Sequence, residues 1–538
     1  MALTLDPVHP PEAVPRTWRE RVRRGLPRAG LAALCGVLLA LSFPPYGIWP
    51  LSVVAVAGIS LLTYRRTVRQ AAWSGLLFGL TFMLWLLYWI GVIGKDAWLI
   101  LSVVEALYLV LMAAGLALVS RMRWWPLWSA LVWITQEWVR DRVPLGGFPW
   151  GRLAFANTSS PYTPLAALGG APLVSFAVAL SGTLLAAAVL TYRQRITAGV
   201  LVVAAVVVGL LGYAVPLPTA GQTVSGPAAA RIAVIQGNVP HAGMDFLGRP
   251  MQVLQNHVNE TLKLAAEVKA GQVPKPDLVI WPENSSDVNP YITPEAYAAI
   301  TTAVQTIGVP VLVGALVDGP DNQHVLNEGI VWDPVSGPGA HYTKQHPVPF
   351  GEYVPFRSIL MKYITRLQRV ARDFYPGRTT GILDVGPARI GDVICFEVAY
   401  DGIVHDSVAK GGRVLVVQTN NATYEHTDQP DQQFAMSRLR AIEHGRSVVI
   451  AATSGISAVI APDGSVVHRT KLATAAAFEE TVPLRDSLTP ADRVGAWPEW
   501  VLALAGLGSV AAALAAGRQR RRRGLPTKDE KTSTGDSA

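Results

Sequence analysis

Cysteine is nearly absent: Cys35 and Cys395 are the two thiols in 538 residues. A count of two excludes a disulfide scaffold and every zinc site built on four cysteines. The ten histidines form no HExxH, and there is no CxxC, so no metal site is expected. Charge is also scarce, at 16% of residues, while half the chain is hydrophobic. That balance is too apolar for an ordinary soluble protein. The net charge of +8 raises a nucleic-acid reading, but the arginines gather at the ends of apolar runs and form no basic stripe on the remainder. Nucleic acid is therefore excluded as a partner, and no internal repeat points to a solenoid.

What is present is a set of apolar runs of membrane-crossing length. They lie at about 29–43, 51–64, 71–93, 97–120, 124–139, 164–191, 197–215 and 499–516, eight in all. A short apolar run behind a basic stretch can be a cleaved signal peptide, but a second run follows the first at once, so a retained span is expected. Basic clusters precede the first run, recur at Arg65-Arg66, Arg121, Arg123, Arg193 and Arg195, and follow the last run. Those are alternate connections, and cationic loops stay cytoplasmic. The 140–163 loop, with Arg140, Arg142 and Arg152 against Asp141, is the one that fits the alternation poorly. The expected organisation is a cytoplasmic tail (1–28), a membrane domain of about seven spans (29–215), an extracytoplasmic domain (228–485), a last span (499–516) and a cytoplasmic basic tail (518–538). Such a chain is expected to be a multi-pass membrane protein.

Between 228 and 485 the composition is globular. Strands are expected at 231–236, 277–281, 309–313, 327–332, 390–395, 414–419, 447–452 and 457–461, and helices at about 250–270, 293–306 and 431–444. Short apolar strands mixed with amphipathic helices imply a layered α/β domain.

Three segments carry candidate chemistry. Cys395 ends the apolar strand Ile390–Ile394 and stands beside Phe396-Glu397; a free thiol is either a small buried hydrophobe or a nucleophile. Glu283 lies just past the strand 277–281, where Pro282 favours an extended exit; it reads as a general base or as a turn residue. Lys344 follows a short strand and opens a segment stiffened by Pro347, Pro349 and Pro355, with Glu352 eight residues on. Alone, Lys344 and Glu352 would be surface charges. A thiol that attacks an ester or amide needs a base and an oxyanion donor, and together the three segments supply both.

Trp281-Pro282-Glu283, Lys344 with Glu352, and Ile394-Cys395-Phe396-Glu397 resemble the Glu-Lys-Cys set of the nitrilase (carbon–nitrogen hydrolase) superfamily in order and spacing. Gln236-Gly237-Asn238, Thr419-Asn420-Asn421 and the 433–443 helix with Arg438 and Arg440 extend the likeness across 228–485. Placed between seven spans and an eighth, and carrying Lys344-Gln-His-Pro-Val-Pro-Phe-Gly-Glu-Tyr-Val-Pro355, the domain is similar to the apolipoprotein N-acyltransferase family. The chain departs from that family at Ala422–His426, where a Trp-Phe-Gly stretch is common, at Met244 or Phe246 in place of an aromatic, and at Phe396 in place of tyrosine.

The resemblance implies an αββα sandwich inserted in a bundle of about eight transmembrane helices. It implies Glu283 as base, Cys395 as nucleophile, and Lys344 with the Phe396 N–H as oxyanion donors, while Glu352 and Glu397 orient Lys344. It further implies a membrane phospholipid as acyl donor, diacylglyceryl lipoproteins as acceptors, no cofactor and a monomer. Two rivals are a membrane-tethered amidase of the same superfamily, in which water takes the acyl group, and a catalytically dead interaction module.

Overall fold

The computed structural model describes residues 18–218, 226–239 and 250–522. Met244, Phe246, residues 1–17 and the tail from 523 lie outside the described residues. Helices stand at each of the eight expected places: α1 Trp18–Leu41, α2 Pro50–Thr63, α3 Val68–Leu86, α4 Lys95–Val119, α5 Trp125–Arg140, α6 Ala166–Leu190, α7 Arg195–Leu210 and, after the α/β domain, α14 Trp497–Arg522. Among the described residues four helices are long and apolar enough to cross a membrane: Lys95–Val119, Thr163–Leu190, Arg195–Ala214 and Trp497–Gln519. Leu26–Leu41 and Pro50–Thr63 are shorter apolar helices. This is a membrane protein.

The bundle has two unlike ends. At one, the arginine loops meet: Arg65 N–H donates to Ser120 Oγ at 2.8 Å, and Arg121 reaches the carbonyls of Arg65 and Arg66. At the other, the intervening loops touch the α/β domain. Gln432 Nε2 donates to the carbonyls of Pro44 and Leu86, the Trp89 ring meets Tyr424 edge-on at 5.0 Å, and Arg366 pairs with Asp96. The 140–163 arginines lie at this second end without being free cations. Arg140 pairs with Glu105, Arg142 with Glu499, and Arg152 with Glu137, Asp141, Asp401 and Glu499. Their charges are spent on internal carboxylates.

In the α/β domain the chain runs β1 Ala229–Gln236, α8 Pro250–Lys269, β2 Leu278–Ile280, α9 Pro294–Ile307, β3 Val311–Asp318, β4 His324–Asp333, β5 Gly337–Thr343, α10 Arg357–Leu360 and β6 Asp373–Phe374. It continues with β7 Ile382–Val385, β8 Ala388–Ile394, α11 Asp401–Ala409, β9 Val414–Thr419, α12 Gln429–His444, β10 Val448–Ala452, β11 Ala458–Ile460, β12 Val466–Arg469, β13 Ala476–Pro483 and α13 Pro490–Val494. One sheet is ordered β13-β1-β2-β3-β4-β5, with β6 against β4; the other is β12-β11-β10-β9-β8-β7. Ile232, Ile280, Leu312, Ile390, Val416 and Val449 lie in the dry layer between the sheets. Helices α8 and α9 cover the first sheet through Leu254, Ile300 and Val304. Val393, Leu415 and Val417 of the second sheet pack on α12 through Met436 and Leu439, and this cluster runs on into the membrane bundle. The expected αββα sandwich is present, with its second helical layer wedged against the membrane helices.

The expected strands and helices recur within a few residues of their places. Strands β6, β7, β12 and β13 and helices α10, α11 and α13 were not expected. β12 (Val-Val-His-Arg) and β13 (Ala-Ala-Phe-Glu-Glu-Thr-Val-Pro) are sheet edges that break short apolar stretches with charged residues, so neither gives a continuous apolar run. Close approach of α12 to the bundle depends on Gly170, at φ +71°, where a Cβ would fall 2.6 Å from Glu443 Oε1.

Arg152→Ala would leave Asp141 and the Asp401 pair short of a cation in a buried setting. It is expected to cost about 3–5 kcal/mol, measured as a lowered unfolding midpoint of the full chain in detergent; an unchanged midpoint would refute the coupling of the two domains through this residue.

Candidate active site

Each candidate side chain leaves the end of a strand. β2 runs through Trp281-Pro282 to Glu283, β5 ends at Thr343 and presents Lys344, and β8 ends at Ile394 and presents Cys395. The ends converge at the mouth of the gap between the sheets. Cys395 adopts φ +54°, in the left-handed region that a residue with a Cβ rarely occupies. The chain turns sharply there into a single 3₁₀ stretch, Cys395–Ala399.

Lys344 is 1% exposed, and its Nζ donates to Glu283 Oε1 at 2.9 Å and to Glu352 Oε1 at 2.7 Å. Two of its three N–H donors are thereby committed. Glu283 is held at both oxygens: Oε1 also accepts from Asn327 Nδ2 at 2.8 Å, and Oε2 accepts from the Asn420 N–H at 2.9 Å. Glu352 Oε2 accepts from the Val348 N–H at 2.7 Å. A buried ammonium would ordinarily lose its proton, but the two carboxylates outweigh burial and hold Lys344 well above the usual lysine range. Burial raises Glu352 in turn, against the pull of Lys344.

The thiol goes the other way. Cys395 is partly exposed at the cleft, yet its enclosure and the Glu283 carboxylate push it up to about 12, with Lys344 and the Thr419 hydroxyl opposing. At neutral pH the sulfur is protonated, and it becomes a nucleophile only by passing that proton to a neighbour.

Glu397 does not reach Lys344 Nζ, contrary to the orienting role expected for it. Its carboxylate accepts from the N–H groups of Ile394, Gln345 and His346 and from the Tyr342 hydroxyl, at 2.6–3.1 Å. It ties the segment after Lys344 to the strand before Cys395, and so fixes main chain where Glu352 fixes the ammonium.

The turn carrying the thiol is braced from the membrane side. Phe396 stacks on Phe148 and Trp150 at 5.7 and 5.9 Å, Trp150 Nε1 donates to Gln432 Oε1, and the Tyr400 hydroxyl donates to the Gly147 carbonyl. Arg440 Nε and Nη2 donate to the carbonyls of Val398 and Ala399, and Arg440 shares Asp401 with Arg152. His346 packs against Tyr400 with ring centroids 4.1 Å apart and the rings tilted; burial and Lys344 lower it to about 4, so its ring is neutral.

Residues 35–184 match the apolipoprotein N-acyltransferase N-terminal domain, and residues 231–485 match carbon–nitrogen hydrolase. An apolipoprotein N-acyltransferase from Mycolicibacterium smegmatis is 41% identical over 88% of this chain and 82% of its own length. The chain belongs to the apolipoprotein N-acyltransferase family. Another apolipoprotein N-acyltransferase, from Gloeobacter violaceus, is 32% identical over 94% of this chain and 98% of its own. A crystal structure of an amidase from Nesterenkonia sp. aligns at 17% identity over 52% of this chain and 99% of that one, with a TM-score of 0.35.

Within this apolipoprotein N-acyltransferase family member the structure brings Glu283, Lys344, Glu352 and Cys395 together and sets Phe396 and Glu397 just beyond them. Sequence reasoning passed over Asn327, Tyr342, Trp150 and Arg152. Asn327 had a signal: it is an inward-facing polar residue in the buried strand β4. Trp150 and Arg152 had none, because their partners lie about 250–280 positions away. The departure at Ala422–His426 also gains a role, since Tyr424 is the aromatic that meets both Trp89 and the surroundings of the thiol.

Glu397→Gln would turn an amide N–H₂ toward donors. It is expected to lower stability by about 1–3 kcal/mol and to slow alkylation of Cys395, read by thermal unfolding and by iodoacetamide labelling; labelling at the wild-type rate would show that the clamp does not set the thiol.

Proposed function

We propose that this chain is an N-acyltransferase that moves a fatty acyl group from a membrane phospholipid, through a thioester on Cys395, to the α-amine of the diacylglyceryl-cysteine at the N-terminus of lipoproteins. The observation that carries the reading is the buried Lys344 ammonium held between Glu283 and Glu352 at the strand end that presents the thiol. The identity to named apolipoprotein N-acyltransferases along most of the chain supports the choice of donor and acceptor.

Glu283 takes the thiol proton as sulfur attacks the ester carbonyl carbon. The carbonyl π electrons move to oxygen, where the third N–H of Lys344 and the Phe396 N–H receive the negative charge. Collapse expels the lysophospholipid alkoxide, which recovers the proton from Glu283, and the thioester remains. The lipoprotein α-amine then attacks the thioester carbonyl, gives a proton to Glu283, and displaces Cys395, which regains its hydrogen. Two half-reactions through one covalent intermediate are ping-pong. Charged Lys344 and neutral Cys395 are the resting states the electrostatics favour, so the proton moves only when an electrophile is in place.

In this reading α1 to α7 and α14 are eight spans, and the arginine loops are cytoplasmic. The α/β domain, 228–485, faces outward with the monomer's active-site cleft at the level of the lipid headgroups. The touching arginine loops at one end of the bundle and the contacts of the other loops with α12 support that orientation.

The test is incubation of the purified full chain with acyl-labelled phospholipid and a diacylglyceryl peptide. Label is expected on Cys395 and then on the peptide amine, with none on Cys395→Ala and transfer slowed about a thousandfold in Glu283→Gln. Free fatty acid released without N-acylated peptide would sink the proposal.

A further inference from the structure

One carboxyl group inside the sandwich takes no part in the chemistry above. Asp392 lies on β8, three residues before the thiol, and is 0% exposed. Neither of its carboxyl oxygens has a hydrogen-bond partner of good geometry, and the one main-chain donor that acts on it is the Val393 N–H. On the adjacent strand β9, Gln418 is equally buried; its Nε2 donates to the Trp281 carbonyl at 2.6 Å, while its Oε1 is without a partner. The orphaned oxygens converge on one spot beneath β4. A Cβ on Gly329 would fall 2.4 Å from Asp392 Oδ2 and 2.5 Å from Gln418 Oε1, so glycine is what leaves them room.

Two acceptors facing each other in a dry interior repel and cost free energy unless a donor stands between them. Turning the Gln418 amide around does not help, because Oε1 would then face the Trp281 carbonyl and the conflict would only move. A proton on Asp392 Oδ2 gives the facing pair, Oδ2 and Gln418 Oε1, the donor it lacks.

We infer that Asp392 is a neutral carboxylic acid whose O–H donates to Gln418 Oε1, and that it is a positioning residue for Glu283. The line from Asp392 through the Gln418 amide to the Trp281 carbonyl crosses the sandwich and pins the strand end that carries Glu283 two residues later. The inference rests on Glu283 acting as the base. The titratable groups that act on Asp392 are Glu397, Glu283 and the Tyr342 hydroxyl; burial and the two carboxylates hold its proton well above the usual carboxylate range. Ionisation would set a further negative charge among those carboxylates and leave Gln418 without a donor.

Asp392→Asn keeps a donor of the same shape, and Asp392→Ala removes it. In the full chain the Asn variant is expected to acylate Cys395 within about twofold of wild type, and the Ala variant about tenfold more slowly. The native state binds a proton that the unfolded state releases above the ordinary carboxylate range, so this group makes wild-type stability fall as pH rises. The melting temperature of Asp392→Asn is therefore expected to exceed that of wild type by a margin that widens from acid to mildly alkaline pH. Wild type should also show a protonated-carboxyl infrared band that Asp392→Asn lacks. A margin independent of pH with no such band would mean that water bridges an ionised Asp392, and would overturn the inference. So would an Asn variant as slow as Ala. If wild type itself fails to acylate Cys395 while the margin and the band behave as stated, the reaction assigned above is what falls, and the neutral Asp392 stands.

Discussion

An ammonium that is almost wholly removed from water survives only if carboxylates replace its hydration, and Lys344 has two of them within 3 Å. That requirement organises the site. It obliges Glu283 and Glu352 to converge from separate segments, and it makes the proline-dense stretch after Lys344 short and stiff enough to bring Glu352 back. Because two of the three N–H groups are committed, the remaining one has a fixed direction. Enclosure, together with the same carboxylates, keeps the nearby sulfur protonated. A charged lysine and an uncharged thiol are thus two results of one arrangement.

The interior around this centre is rich in carboxyl groups. Glu283 and Glu352 are balanced by one lysine, Glu397 by main-chain N–H groups and a tyrosine, and Asp392 by its own proton. Three ways of tolerating a buried carboxyl group occur within one sheet gap, and each fixes a different piece of backbone. The brace from the membrane side follows another principle. There the flat rings of Phe148 and Trp150 cover Phe396, while Arg152 and Arg440 meet over Asp401.

Much of this was legible in the linear chain. Buried strands such as Leu278–Ile280 and Val414–Thr419 announce themselves as short runs rich in valine, leucine and isoleucine. The chemistry was legible because Glu283 and Cys395 each stand just after a buried strand and Lys344 just after the edge strand β5, where a strand end can offer a side chain to a cleft. Edge strands β12 and β13 were not, since histidine, arginine and glutamate interrupt their short apolar stretches. Arg140, Arg142 and Arg152 were misleading for a physical reason: a topology count assumes cations facing water, and these are paired inside the protein. The function of Glu397 was half legible. Its place beside the thiol was evident, but nothing in a sequence tells whether a carboxylate will choose an ammonium or a row of amide hydrogens.

The outer helical layer of the sandwich has no solvent face on the membrane side. Met436, Leu439 and Ile442 of α12 belong to the same apolar cluster as Phe82, Trp89 and Val178 of the bundle, and Gly170 exists to let the two surfaces close. A fragment cut at the ends of the α/β domain would therefore carry a raw hydrophobic wall and a nucleophile turn stripped of its backing. Secretion of that fragment as a free-standing enzyme would demand that the wall be rebuilt with polar residues and the lost aromatic support be replaced from within the domain.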